Sequence, residues 1–178
     1  DALPILLFEF GFWTLYDAPD YAGYGIREAQ SFLNSILGST EKVNIDFMAG
    51  IVCCGFMGSL NKKNLLSPKG ILKNILDHVF EIYDSTEIAY IFDRIKMELD
   101  MSKPMGVFLV RENLEAFIED VENWSRRENE EIKIILEYTL QKVADPEVNP
   151  ILQYTVKNFV MMIQYLYNGS KDKKIDLI

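Results

Sequence analysis

The residues best placed to do chemistry in this chain are carboxylates and tyrosines. Glu112, Glu115, Glu119 and Glu122 stand at i, i+3, i+7 and i+10. A helix there gathers them into one acidic stripe, largely away from Leu114, Phe117, Ile118 and Val121. Between Glu112 and Glu137, nine acids meet three bases. Like charges one turn apart weaken a helix, so the stripe reads either as a solvated face or as a docking face that a basic partner neutralises. General acid–base work is disfavoured, because an exposed stripe offers no burial to tune a carboxyl toward neutrality.

The second candidate is the segment from Tyr16 to Gly25, where Asp17, Asp20, Tyr21 and Tyr24 sit among Pro19, Gly23 and Gly25. Tyrosine gives a large contact area at small entropic cost, and aspartate gives charge-assisted bonds to Arg or Lys. The composition predicts a recognition loop; the alternative is a structural turn whose tyrosines fold back on the core.

Other chemistries lack material. The single histidine, His78, shares a helical stripe with Ile71, Ile75 and Ile82 and reads as a satisfied, half-buried side chain. Cys53 and Cys54 are adjacent within an apolar run and read as reduced core thiols. A zinc site wants three or four Cys and His ligands, and the chain holds two and one. No nucleophile-elbow spacing, phosphate-cradling glycine run or calcium-loop pattern is present in the sequence. The chain is therefore read as a non-enzyme with no catalytic residue, no metal ligand and no cofactor.

Charge narrows the partners. Across 178 residues, 18 Lys and Arg face 27 Asp and Glu, for a formal net charge of −9. A nucleic-acid binder or a protein docking on anionic lipid needs a basic surface, so neither is expected. The apolar stretches 2–16, broken by Glu9, and 47–61 fall short of the roughly 20 residues a membrane span requires. No basic region precedes the first of them, as a signal peptide would demand. Reduced thiols suit the cytoplasm, which is the expected location. The chain opens at Asp1 rather than Met, as a domain trimmed from a longer chain does.

Helices must position these residues. Apolar residues recur at helical spacing over 26–37, stopping at Gly38, and over 46–60, where Gly50, Gly55 and Gly58 let neighbouring backbones approach a helix apolar nearly all round. Ser67-Pro68 starts a stripe running to Tyr83, and Asp84-Ser85 restarts the chain toward Leu99. Segments 113–127 and 130–144 each carry an apolar face, and Asn149-Pro150 opens a last helix ending near Asn168-Gly169. The N-terminal segment is ambiguous: Phe8, Phe10 and Phe12 alternate as in a strand, while Leu6, Phe10 and Trp13 fit a helix. No linker composition divides the chain. The expected fold is a mainly α, single-domain bundle or array of about seven helices over 1–178, with room for a short strand or two near the termini.

In surface character, Asp17, Asp20, Tyr21, Tyr24 and the Glu112–Glu122 stripe resemble the small acidic immunity proteins that bacteria make against secreted nuclease toxins, of the contact-dependent inhibition type. That resemblance implies an inhibitor that presents carboxylates and aromatics to a basic cleft and occludes it. The expected function is thus non-catalytic neutralisation of a basic protein partner. The alternative is a helical scaffold that takes a partner helix or apolar ligand in a groove lined by Met48, Met57, Met161, Met162, Phe47, Phe56 and Phe159.

Overall fold

The structure, a computed structural model, describes residues 3–16, 26–60, 71–99 and 126–168. These residues form seven helices: α1 (Leu3–Tyr16), α2 (Ile26–Leu37), α3 (Ile45–Leu60), α4 (Ile71–Ile82), α5 (Ser85–Leu99), α6 (Arg126–Gln141) and α7 (Pro150–Asn168). There is no strand among the described residues, and no helix among them is long and apolar enough to cross a membrane. The fold is mainly α, as the periodicity predicts. A single core cluster draws on every one of these helices, so they make one domain.

The ambiguous N-terminal segment is helical, and the reason lies in which phenylalanines are buried. Phe8 and Phe12, four residues apart, are fully buried, whereas Phe10 is 60% exposed. An i, i+4 pair shares one face of a helix, and the residue midway between points to the other side. The inward face is therefore Phe8 and Phe12, while Leu6 and Phe10 look outward.

α3 is the axis of the molecule. Every residue from Met48 through Phe56 is buried, and α1, α4 and α5 pack around it. The pairing with α1 depends on two glycines. A Cβ on Gly50 would stand 2.7 Å from the backbone nitrogen of Phe12, and one on Gly11 would overlap the Phe47 carbonyl. Small residues at a helix crossing let the backbones themselves touch. Gly55 makes room for a side chain of α4 instead, since a Cβ there would meet Leu72 Cδ1 at 2.7 Å.

Aromatic rings tie α7 to α3 and α5, and α4 to α5. Phe159 of α7 meets Phe56 of α3 and Phe92 of α5 edge-on, each with ring centroids 5.0 Å apart. Phe80 of α4 lies 6.0 Å from Phe92. Edge-to-face pairs add about 0.5–1.5 kcal/mol each beyond area burial.

The helix ends follow local chemistry. The Gly38 amide closes the last turn of α2 on the Asn34 carbonyl at 2.9 Å. Asn44 caps α3 by accepting from the Asp46 amide at 2.8 Å. Asp84 and Glu87 form a reciprocal capping box: Asp84 Oδ1 accepts from the Glu87 amide at 2.8 Å, and Glu87 Oε1 accepts from the Asp84 amide at 3.0 Å. Asn149 caps α7 through the Ile151 amide, with Pro150 in the first helical position, as its sequence predicts. α6 begins at Arg126, inside the expected 113–127 helix, and runs unbroken past Glu130. The Ser67-Pro68 start, the rest of segment 113–127 and the C-terminal tail lie outside the described residues.

Candidate functional site

The eight residues assigned to partner binding from sequence, Asp17, Asp20, Tyr21, Tyr24, Glu112, Glu115, Glu119 and Glu122, all lie outside the described residues. The Met and Phe set is split. Met48, Phe56 and Phe159 are fully buried and fill the core, while Met161 is exposed on α7. Side-chain placement of Met57 lies outside the described residues.

Three polar clusters hold the helices together. The first is a seam along α5, where Tyr90, Arg94 and Glu98 succeed one another at i, i+4 and i+8, Arg94 and Glu98 buried and Tyr90 at its exposed end. Tyr90 donates its hydroxyl to Asp46 of α3, and Arg94 is paired with Glu98. The Arg94 guanidinium lies 4.6 Å from the Phe8 ring centroid of α1, so one cation bridges α5 and α1. Burial, then the bond to Asp46 and its charge, pushes the Tyr90 hydroxyl up to about 12, with Arg94 opposing. Cys53 faces this seam. Burial pushes its thiol well up, and the neighbouring Cys54 and Glu98 add to that while Arg94 works against it. A thiol held protonated is a poor nucleophile and metal ligand, so the seam reads as structural.

The second cluster joins α4 to α6. Lys142 Nζ lies 2.6 Å from Asp77 Oδ1, and Tyr138 donates its hydroxyl to the same carboxylate. Lys73 and Lys142 approach the Tyr138 ring at 4.7 and 5.0 Å from its centroid. Burial works to raise the Asp77 carboxyl, but the Lys142 and Tyr138 hydrogen bonds outweigh it and hold it below its usual range. The third cluster pins the α2–α3 link to the α4–α5 corner. Tyr83 donates to the Val43 carbonyl at 2.8 Å, and Lys42 bonds Glu87 at 2.7 Å.

No group of three or more His, Cys, Asp or Glu side chains that could hold a metal ion occurs among the described residues. His78 is buried, 6% exposed, rather than half-buried as its sequence context suggests.

Among the described residues, α7 carries several large apolar and aromatic side chains on the surface. Ile151, Tyr154, Met161 and Tyr165 of α7 are 72%, 70%, 46% and 78% exposed. Their spacing of three, seven and four residues puts them on one face, opposite the buried Leu152, Val156, Phe159, Val160 and Ile163. Scattered exposed apolar residues are ordinary, but four large ones on one helix face, with the exposed Lys157 between Tyr154 and Met161, make a candidate contact surface. Sequence reasoning passed over this ridge because the inward stripe of α7 is the stronger signal. A visible clue was the charge count: Lys157 is the one charged residue in the 19 of α7. A second outward set, Leu3, Ile5, Leu6 and Phe10, lies on α1.

No known protein family, curated protein or solved structure matches this chain.

Proposed function

We propose that this chain is a non-catalytic binding protein whose partner is a basic protein, and that it acts by covering that partner's surface. The observation that carries the reading is the exposed ridge Ile151, Tyr154, Met161 and Tyr165 on α7. Tyrosine and methionine are enriched where proteins meet, because each covers much area with few frozen torsions or adapts its shape. The formal charge of −9 supplies the sign of the partner. Such a field speeds encounter with a cation-rich surface and slows self-association.

The specific form we propose is an immunity protein that blocks a nuclease toxin at its nucleic-acid cleft. A nuclease must present a basic face to its substrate, and an acidic protein is the natural competitor for that face.

The experiment is affinity capture from the native host, eluted in steps of rising salt, with mass spectrometry of each step. A stoichiometric basic protein leaving between low and moderate salt supports the reading. A stoichiometric partner that is neutral or acidic, or one indifferent to salt, overturns the charge-led form.

A further inference from the structure

We propose that the outer face of α7 takes a single α-helix of the partner protein, laid alongside it as in a two-helix coiled coil, with an acidic side chain of that helix against Lys157. This rests on the reading of that face as the contact surface, and adds the shape and local charge of what it contacts.

The outward residues of α7 repeat with a coiled-coil period. Ile151, Tyr154, Asn158, Met161 and Tyr165 step by three, four, three and four along the chain. Such steps average 3.5 residues, so they hold to one line that a second helix follows when the two wind slightly about each other. From Ile151 to Tyr165 that line spans about 21 Å at 1.5 Å per residue. Ile151, Tyr154, Met161 and Tyr165 are exposed, and Asn158 at the middle is half-buried. The opposite stripe anchors α7 through Phe159, which meets Phe56 of α3 and Phe92 of α5. The outer one is left to meet something else.

A helix fits this stripe better than an extended segment does. A strand docks by pairing its backbone with a sheet edge, and there is no strand among the described residues. The backbone of a helix is bonded within itself, so side chains alone carry the recognition. Side chains at this spacing interlock with those of another helix. Asn158 adds register, because one polar group in the middle of an apolar line asks for a polar neighbour opposite.

Charge says which helix. Lys157 is the one charged residue of α7. It is exposed and directly precedes Asn158, the flanking position where coiled coils place ion pairs between helices. It therefore calls for Asp or Glu on the incoming helix. A second α7 cannot supply one, since the helix holds no acid from Pro150 to Asn168. Two copies would also meet with a formal charge of −9 each. The occupant is thus a different protein: its overall positive charge governs approach, and its acid against Lys157 governs seating.

The test uses two synthetic three-heptad peptides of identical composition and net positive charge. In the first, Leu and Ile fill the a and d positions, with Glu on both sides of the central a position. In the second, the same residues are permuted so that no apolar face forms, and circular dichroism verifies that both are helical. Amide NMR shifts of the full chain read the binding. The expected result is saturable shifts centred on Ile151 to Tyr165, with the permuted peptide weaker by about tenfold or more. Tyr154→Ala plus Tyr165→Ala weakens the patterned peptide by a similar factor. Lys157→Glu weakens it about two- to fivefold, and a peptide with Lys in place of the two Glu recovers the loss. No shift, shifts centred elsewhere, or equal binding of the two peptides overturns the proposal. So does a Lys157→Glu variant indifferent to the peptide's charge. A dimer of the chain alone in sedimentation equilibrium, lost in Tyr154→Ala plus Tyr165→Ala, overturns it too, by seating a second copy. Peptide docking without salt-released capture of a basic protein would keep the helix seat and remove the basic-partner reading. Such a capture without peptide docking would do the reverse.

Discussion

Gly11 of α1 and Gly50 of α3 meet backbone to backbone: a Cβ on Gly50 would stand 3.1 Å from the carbonyl carbon of Gly11. The two helices touch without side chains between them, and this brings Phe8 and Phe12 fully into the core. α1 is otherwise an apolar helix with an outward face of its own, so this contact is what commits it to the fold.

Gly50→Ala and Gly11→Ala are therefore expected to destabilise the protein by about 1–3 kcal/mol or more, since the obstructing atoms are backbone and cannot rotate away. At about 2–4 °C per kcal/mol for a domain of this size, thermal melting should fall by several degrees. Alanine normally strengthens a helix relative to glycine, so an unchanged or raised melting temperature would show that the helices cross less closely.

Arg94 and Glu98 should behave as a unit. Removing one partner leaves a buried charge, so Arg94→Met alone or Glu98→Gln alone is expected to cost about 3–5 kcal/mol. Arg94→Met combined with Glu98→Leu should cost far less than the sum, because apolar side chains of similar size fill the same space. A denaturant-unfolding double-mutant cycle measures the coupling; additive losses would mean the two side chains act apart.

Asp77 predicts a pH dependence of stability at the acid end. Its native carboxyl lies below the ordinary value of 3.8, so its contribution is present above that value and is lost as the pH falls through the native one. Asp77→Asn should lower stability at pH 7 and have little effect at pH 2. The side chain is 44% exposed, so the loss should stay within about 1 kcal/mol. Chemical denaturation of both proteins at the two pH values checks this. An equal loss at both would assign the effect to something other than charge.

Much of this architecture was legible in the residues themselves. Helical spacing marked α2, α3, α4, α5 and α7, and the Asn149-Pro150 and Asp84-Ser85 starts follow from capping chemistry that acts within a few residues. The glycines of α3 also announced a crowded helix, and Gly50 and Gly55 are where neighbours press closest. What could not be read is which face of an all-apolar helix turns inward. α1 has apolar residues on every side, so its pattern gives no direction, and its contact with α3 decides for Phe8 and Phe12. The α5 seam was equally hidden, because a charged pair such as Arg94–Glu98 looks like an ordinary i, i+4 surface pair until the neighbouring helices cover it.

The binding surface is the central claim, and the most direct test compares the wild-type chain with Tyr154→Ala plus Tyr165→Ala in capture of the same partner. Both tyrosines are more than two-thirds exposed, so the double variant should melt within a few degrees of wild type. It should also release the basic partner about tenfold faster or more, as loss of contact anchors does. Unchanged retention of that partner by a normally folded double variant would contradict the account.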